Sequence, residues 1–150
     1  MISCTDFIPA YSELFKFLDK QGGKAKVIEF WNYLADHFLD NLRNLAAQHG
    51  LRGCWMYWSR TLNEEAADFT MELNEDETEL KFSMHRCPSK GRLLECRHIT
   101  PYPDYCEHCN VLYRRVLEPL GFEYHKDLAH CDKAQCAGMI SRKNLIKNME

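Results

Sequence analysis

The sharpest chemical signal in the chain is Cys106-Glu107-His108-Cys109. Pro103 and Asp104 precede it, so the motif is predicted to open a helix. Residues three apart on a helix share a face, so both sulfurs can reach one metal ion or each other. The partial positive charge at a helix start favours a thiolate at Cys106, and a thiolate is both nucleophile and metal ligand. Cys131 and Cys136 follow, with His130 adjacent. Zinc takes four nitrogen or sulfur ligands, so Cys106, Cys109, Cys131 and Cys136 form one candidate metal set. A redox dithiol of thioredoxin type is a second reading. It requires a strand running straight into the motif, and residues 100–103 make a poor strand. A third reading makes Cys109 a small buried residue on the apolar stripe of its helix.

A second constellation is His85-Arg86-Cys87-Pro88. Strand alternation puts His85 and Cys87 on one face, about 7 Å apart along the backbone. Cys87 is then a nucleophile with His85 as its base, or both bind metal, or a surface histidine sits beside a half-buried cysteine. For hydrolysis, Cys87 or Cys106 supplies the nucleophile or ligand, and His85 or His108 moves protons. Cys96, His98 and His125 are further candidates. The glycine-rich nucleotide loops, the serine elbow and the zinc-protease helix motif are absent, which argues against those classes.

Hydrophobic spacing indicates the elements that hold these groups. Residues 8–18 read as a short helix with Pro9 in its first turn, and Gln21-Gly22-Gly23-Lys24 breaks it. Val27, Phe30, Trp31, Leu34, Phe38, Leu42 and Leu45 recur at spacings of three and four, which predicts one helix stopped by Gly50. Residues 53–63 read as a further short helix, with Thr61 and Glu64 spaced as a capping box for a next turn. Its Trp55, Tyr57 and Trp58 either wall a pocket or fill a corner of the core. Ala67, Phe69, Met71 and Leu73 then alternate with polar residues, as do Leu80, Phe82 and Met84 after the turn at 74–77. That period of two predicts an antiparallel hairpin with one apolar face. The acidic turn is expected to be solvated, because it lacks the ligand spacing of a calcium loop. Pro88 ends the second strand. Residues 89–98 hold a short helix and 100–103 a stiff connection. Helical spacing returns over 104–120, with Pro119 in the last turn and Gly121 as the stop. Residues 122–129 and 135–141 read as two final strands, and 144–150 as a helical tail.

A chain of 150 residues suffices for one domain with a sizeable core. We read 1–150 as a single α+β domain, mainly helical over 1–66, with the hairpin, a helix, two strands and the Cys/His cluster over 67–150. The amino-terminal helices are expected to pack with a small antiparallel sheet of about four strands, and one further helix completes the layer. A net charge of -3 with neutral histidines argues against nucleic acid, which calls for a basic face. The chain start lacks the pattern of a signal peptide, and no apolar run approaches the roughly 20 residues of a membrane span. A cytoplasmic setting without membrane contact is therefore expected. Thiols stay reduced there, so the 8 cysteines read as ligands, reactive thiols or buried residues and not as a disulfide framework.

The carboxy-terminal half also resembles a known family. Cys87-Pro88, Tyr105-Cys106 with Cys109, Gly121-Phe122 and a strand carrying Cys136 resemble the bacterial family named after L-2-amino-thiazoline-4-carboxylic acid hydrolase. The run from Cys131 to Cys136 is similar to 4-vinyl-reductase-type domains, which bind small molecules and carry cysteines near their end. The likeness spans residues 82–141, with Cys87, Cys106 and Cys136 as matched positions and Cys109 and Cys131 as additions. The first resemblance implies hydrolysis of a cyclic thioimidate amino acid. Two expectations follow from residues and resemblance together. One is a cytoplasmic domain that binds a small molecule or zinc at its Cys/His site, with self-association compatible. The other is a thiol- or metal-dependent hydrolase of a small sulfur-containing amide or imidate. A purely structural interaction protein is a third.

Overall fold

The computed structural model describes residues 4–143, so the expected tail at 144–150 lies outside the described residues. The elements run α1 (Cys4–Phe38), α2 (Asp40–His49), α3 (Leu51–Glu64), β1 (Asp68–Leu73), β2 (Glu79–Arg86), α4 (Pro88–Glu95), α5 (Glu107–Leu117), β3 (Phe122–Asp127) and β4 (Cys136–Arg142). The class is the expected α+β, with a four-stranded antiparallel sheet in the order β1-β2-β4-β3.

Helix α1 is two arms. Gly22 and Gly23 leave helical geometry, and Gly23 takes a φ of 70°, which glycine adopts without a side-chain clash. The arms share apolar contacts: the Phe15 ring meets Trp31 edge-on at 5.2 Å, and Tyr11 lies 6.3 Å from Phe30. The first arm starts at Cys4, earlier than its apolar spacing suggested, which leaves Pro9 inside the helix. The second arm stops at Phe38 and does not run unbroken to Gly50. Leu39 breaks it with a ψ of 26°. Arg43 holds the break, because its Nη2 donates to the Ala35 carbonyl at 2.7 Å and it also pairs with Asp40. Leu39 and Leu42 are both buried, so the apolar stripe continues across the break.

Thr61 and Glu64 do not form a capping box. They lie in the last turn of α3, where Thr61 Oγ1 donates to the Tyr57 carbonyl at 3.1 Å. The acidic turn after β1 is more than solvated. Asn74 Oδ1 accepts from the Thr78 and Glu79 amides at 2.8 and 3.0 Å, and Glu77 accepts from Arg52 Nε at 2.8 Å.

The apolar face of the sheet carries Leu80 and Ile140, paired in register and fully buried, with Phe82, Met84 and Tyr124 beside them. Leu42 and Ala46 of α2, Leu51, Cys54 and Trp58 of α3, and Val116 and Leu117 of α5 share that core. A second cluster joins Phe15, Val27 and Trp31 of α1 to Leu93 of α4 and to Tyr102 and Tyr105. Leu112 of α5 packs on both clusters. The stiff connection is seated by the Tyr102 amide, which donates to buried Ser12 Oγ at 2.8 Å. Helix α5 begins at Glu107, later than expected, after a turn over 103–106. Lys24 of α1 holds that start, at 2.7 Å from Asp104 and 3.2 Å from Glu107. Among the described residues, no helix is long and apolar enough to cross a membrane.

Candidate functional site

Several element ends converge at one end of the sheet. Strand β2 ends at Arg86, since Pro88 has no N–H for the ladder. Cys87 then caps α4: its Sγ accepts from the Lys90 amide at 3.4 Å, and its own amide donates to the Ala134 carbonyl at 2.7 Å. Cys106 is the N-cap residue of α5, and His108 and Cys109 lie in its first turn. Lys126 follows Phe122 and Tyr124 at a period of two along β3. Cys136 opens β4 opposite Met84.

These residues enclose two adjoining compartments. The larger is a chamber of about 170 Å³. Trp58, Leu62, Met71, Phe82, Met84, Tyr113 and Tyr124 wall it, and Cys87, His108, Cys109, Lys126 and Cys136 also line it. The smaller is about 30 Å³, room for roughly one water. Cys87, Cys106, Cys109, Cys131 and Cys136 all line it, with Lys90, His108 and Lys126.

Cys109 Sγ lies 3.5 Å from His108 Nε2. His108 Nδ1 is in close contact with the Tyr105 carbonyl. A carbonyl only accepts, so Nδ1 carries its proton and Nε2 faces the sulfur. Burial alone would raise the Cys109 thiol, but His108 and Lys126 outweigh it and bring the thiol down to about 5. Burial works against a charged His108 as well, and the neighbouring thiolate still raises it above the usual imidazole value. The same holds for Lys126. Burial opposes its charge, and Cys109, Tyr124 and Cys136 more than offset this. Lys126 lines both compartments with Cys109 and Cys136, and its charge favours the thiolate of each. The arrangement favours a charged Cys109 sulfur beside a charged His108 and Lys126.

The other thiols differ. Burial raises Cys87 and Cys136, and it pushes Cys106 up to about 12. This reverses the expectation that the helix start activates Cys106. Burial there dominates, Lys90 offsets it only in part, and Cys109 and Cys131 add to the rise. The activated thiol is Cys109, one turn further on. Cys109 lines both compartments.

Of the residues singled out in the sequence, Cys87, Cys106, His108, Cys109, Cys131 and Cys136 come together. His85 does not. It is exposed, with Nε2 3.3 Å from Thr70 Oγ1, because the strand ends before Cys87 and alternation no longer relates the two. Cys96 and His98 contact each other at 3.4 Å and line neither compartment. His125 is exposed, 3.6 Å from Glu123. No strand leads into Cys106, which separates the motif from the thioredoxin arrangement. Among the described residues, no group of three or more His, Cys, Asp or Glu side chains is arranged to hold a metal ion, the set Cys106, Cys109, Cys131 and Cys136 included.

Sequence reasoning missed Lys126 and Lys90. For Lys126 a signal existed: it stands at an apolar position of an alternating strand, where a cation has to find partners. A wider open groove of about 520 Å³, lined by Lys81, Ser83, His125, Asp127 and Met139 among others, carries no cysteine. No family model, curated protein or solved structure matches the chain.

Proposed function

We propose that this chain is a small-molecule-binding domain whose chamber presents a reactive thiolate, Cys109, to its ligand. The placement of Cys109, His108 and Lys126 in an otherwise apolar chamber carries this reading. A cavity of about 150 Å³ accommodates benzene, so 170 Å³ suits a ligand the size of a substituted aromatic ring and excludes a nucleotide or peptide. The apolar walls take its body, and Lys126 takes a polar or anionic head. The seven unpaired cysteines among the described residues support a reducing, cytoplasmic setting.

The 3.5 Å contact between Cys109 and His108 supports a second, catalytic reading. In it the chain is a hydrolase of a small sulfur-containing amide or imidate. Cys109 attacks the electrophilic carbon, His108 passes its proton to the leaving nitrogen or sulfur, and water then cleaves the new S–C bond, which releases the product and restores the thiol. In this reading Cys87, which lines the chamber, and Cys106, which lines only the smaller compartment, are not the nucleophile expected from sequence.

Alkylation with iodoacetamide, mapped by mass spectrometry between pH 5.5 and 8, tests the shared core of both readings. An ordinary thiol loses about tenfold in rate per pH unit below its pKa. Cys109 titrates near 5, so its thiolate persists as pH falls and its rate stays nearly flat over this window. Cys109 is expected to label first at pH 6. Labelling of Cys87 or Cys106 ahead of it would sink the proposal. A full equivalent of zinc in protein purified without added metal would replace it with a metal reading.

A further inference from the structure

We infer, resting on the reactive Cys109 proposed above, that Cys109 and Cys136 form a peroxide-reducing thiol pair whose substrate is a small apolar hydroperoxide. Three observations carry this. Both sulfurs border both compartments. Lys126 lines both compartments with them, and its charge favours the thiolate of each. The chamber walls are aromatic and aliphatic, which favours an alkyl or aryl hydroperoxide over hydrogen peroxide. A nucleophile that acts only on carbon has no need of a second thiol at the same cation.

The chemistry balances within the site and one named co-reactant. The Cys109 thiolate attacks the terminal oxygen of the hydroperoxide, forming an S–O bond as the O–O bond breaks. The leaving alkoxide takes the proton of His108 Nε2 and departs as the alcohol. Sulfur is oxidised to the sulfenic acid, and the peroxide is reduced. Cys136 then gives its proton to neutral His108 and attacks the Cys109 sulfur. The S–S bond forms, the S–O bond breaks, and hydroxide recovers that proton as water. An external dithiol reduces the disulfide and restores both thiols.

Cys136 is the resolving partner for structural reasons. Cys87 is engaged as the cap of α4 and as a donor to Ala134. Cys106 and Cys131 line only the smaller compartment. Cys136 lies where β4 begins, directly after the connection that holds Cys131–Lys133, so its sulfur can move without breaking a ladder interior.

The test treats reduced protein with cumene hydroperoxide in the presence and absence of dithiothreitol, with peroxide consumption and disulfide mapping as readouts. The wild type is expected to lose two thiols per chain, to link Cys109 to Cys136, and to turn over only when dithiothreitol is present. Cys136→Ser is expected to stop at a Cys109 sulfenic acid that dimedone traps, whereas Cys96→Ser behaves as wild type. If Cys109 alkylates at pH 6 but the hydroperoxide yields no disulfide, or a disulfide between another pair, the peroxide inference fails and the reactive-thiol reading stands. If Cys109 does not alkylate at pH 6, both fail.

Discussion

His108 decides the chemistry that Cys109 can do. Without the imidazolium, burial would hold Cys109 protonated as it holds Cys106. His108→Phe keeps a ring against the neighbouring Phe15 and Tyr105 rings and removes the charge. Once the Cys109 thiol rises above pH 6, each further pKa unit is expected to cut its alkylation rate at that pH about tenfold. Lys126→Met should act in the same direction and also raise Cys136, since Lys126 favours the thiolate of both. Unchanged rates in both variants would show that another group sets the thiolate. At this scale the sequence pointed to Cys106, whereas the proposal made above rests on Cys109 of the same motif. The helix-start argument is local and applies to whichever thiol stands first. What separates Cys106 from Cys109 is burial and a lysine on a strand about twenty residues away in sequence, and neither follows from spacing.

The elements were more legible, because each announces itself by a period. The hairpin appeared as β1 and β2, and the alternation of Leu80, Phe82 and Met84 correctly marked the covered face. The break at Leu39 was not visible, since a one-residue kink leaves an apolar stripe intact. Gly138 is a further feature that period alone does not explain. It sits at an inward position of β4, opposite Phe82 on one side and Lys126 on the other. A Cβ there would stand 2.2 Å from Phe82 Cζ and 2.8 Å from the His125 carbonyl oxygen. Phe82 is itself stacked between Trp58 at 6.4 Å and Tyr124 at 6.2 Å, and the carbonyl is backbone. Relief therefore requires displacing the ring that walls the chamber. Gly138→Ala is expected to cost about 1–3 kcal/mol, seen as a lower urea midpoint with an unchanged slope. An unaltered midpoint would mean that the Phe82 ring does not cover this glycine.

At the scale of the molecule, the site lies where two apolar clusters meet. One belongs to the sheet with α2 and α3, the other to the arms of α1 with α4. Helix α5 belongs to both, and its ion pair from Arg115 to Asp36, at 2.6 and 2.7 Å, fastens it to α1. That exposed pair adds little by itself. The shared packing of Leu112 is the larger link, and the first turn of the same helix carries His108 and Cys109. The expectation of a single domain over 1–150 therefore has a direct physical test. If α5 couples the clusters, unfolding followed by tryptophan fluorescence and by far-ultraviolet circular dichroism coincides in one transition. Trp31 reports on one cluster and Trp58 on the other. Leu112→Ala removes packing from both at once and is expected to cost about 2–4 kcal/mol, toward the lower end because the side chain is only half-buried. The variant should still unfold in one step, since the loss falls on both sides of α5. Two separated transitions, with Trp31 and Trp58 melting apart, would show that the clusters are independent units and that the thiol site sits on a boundary between them.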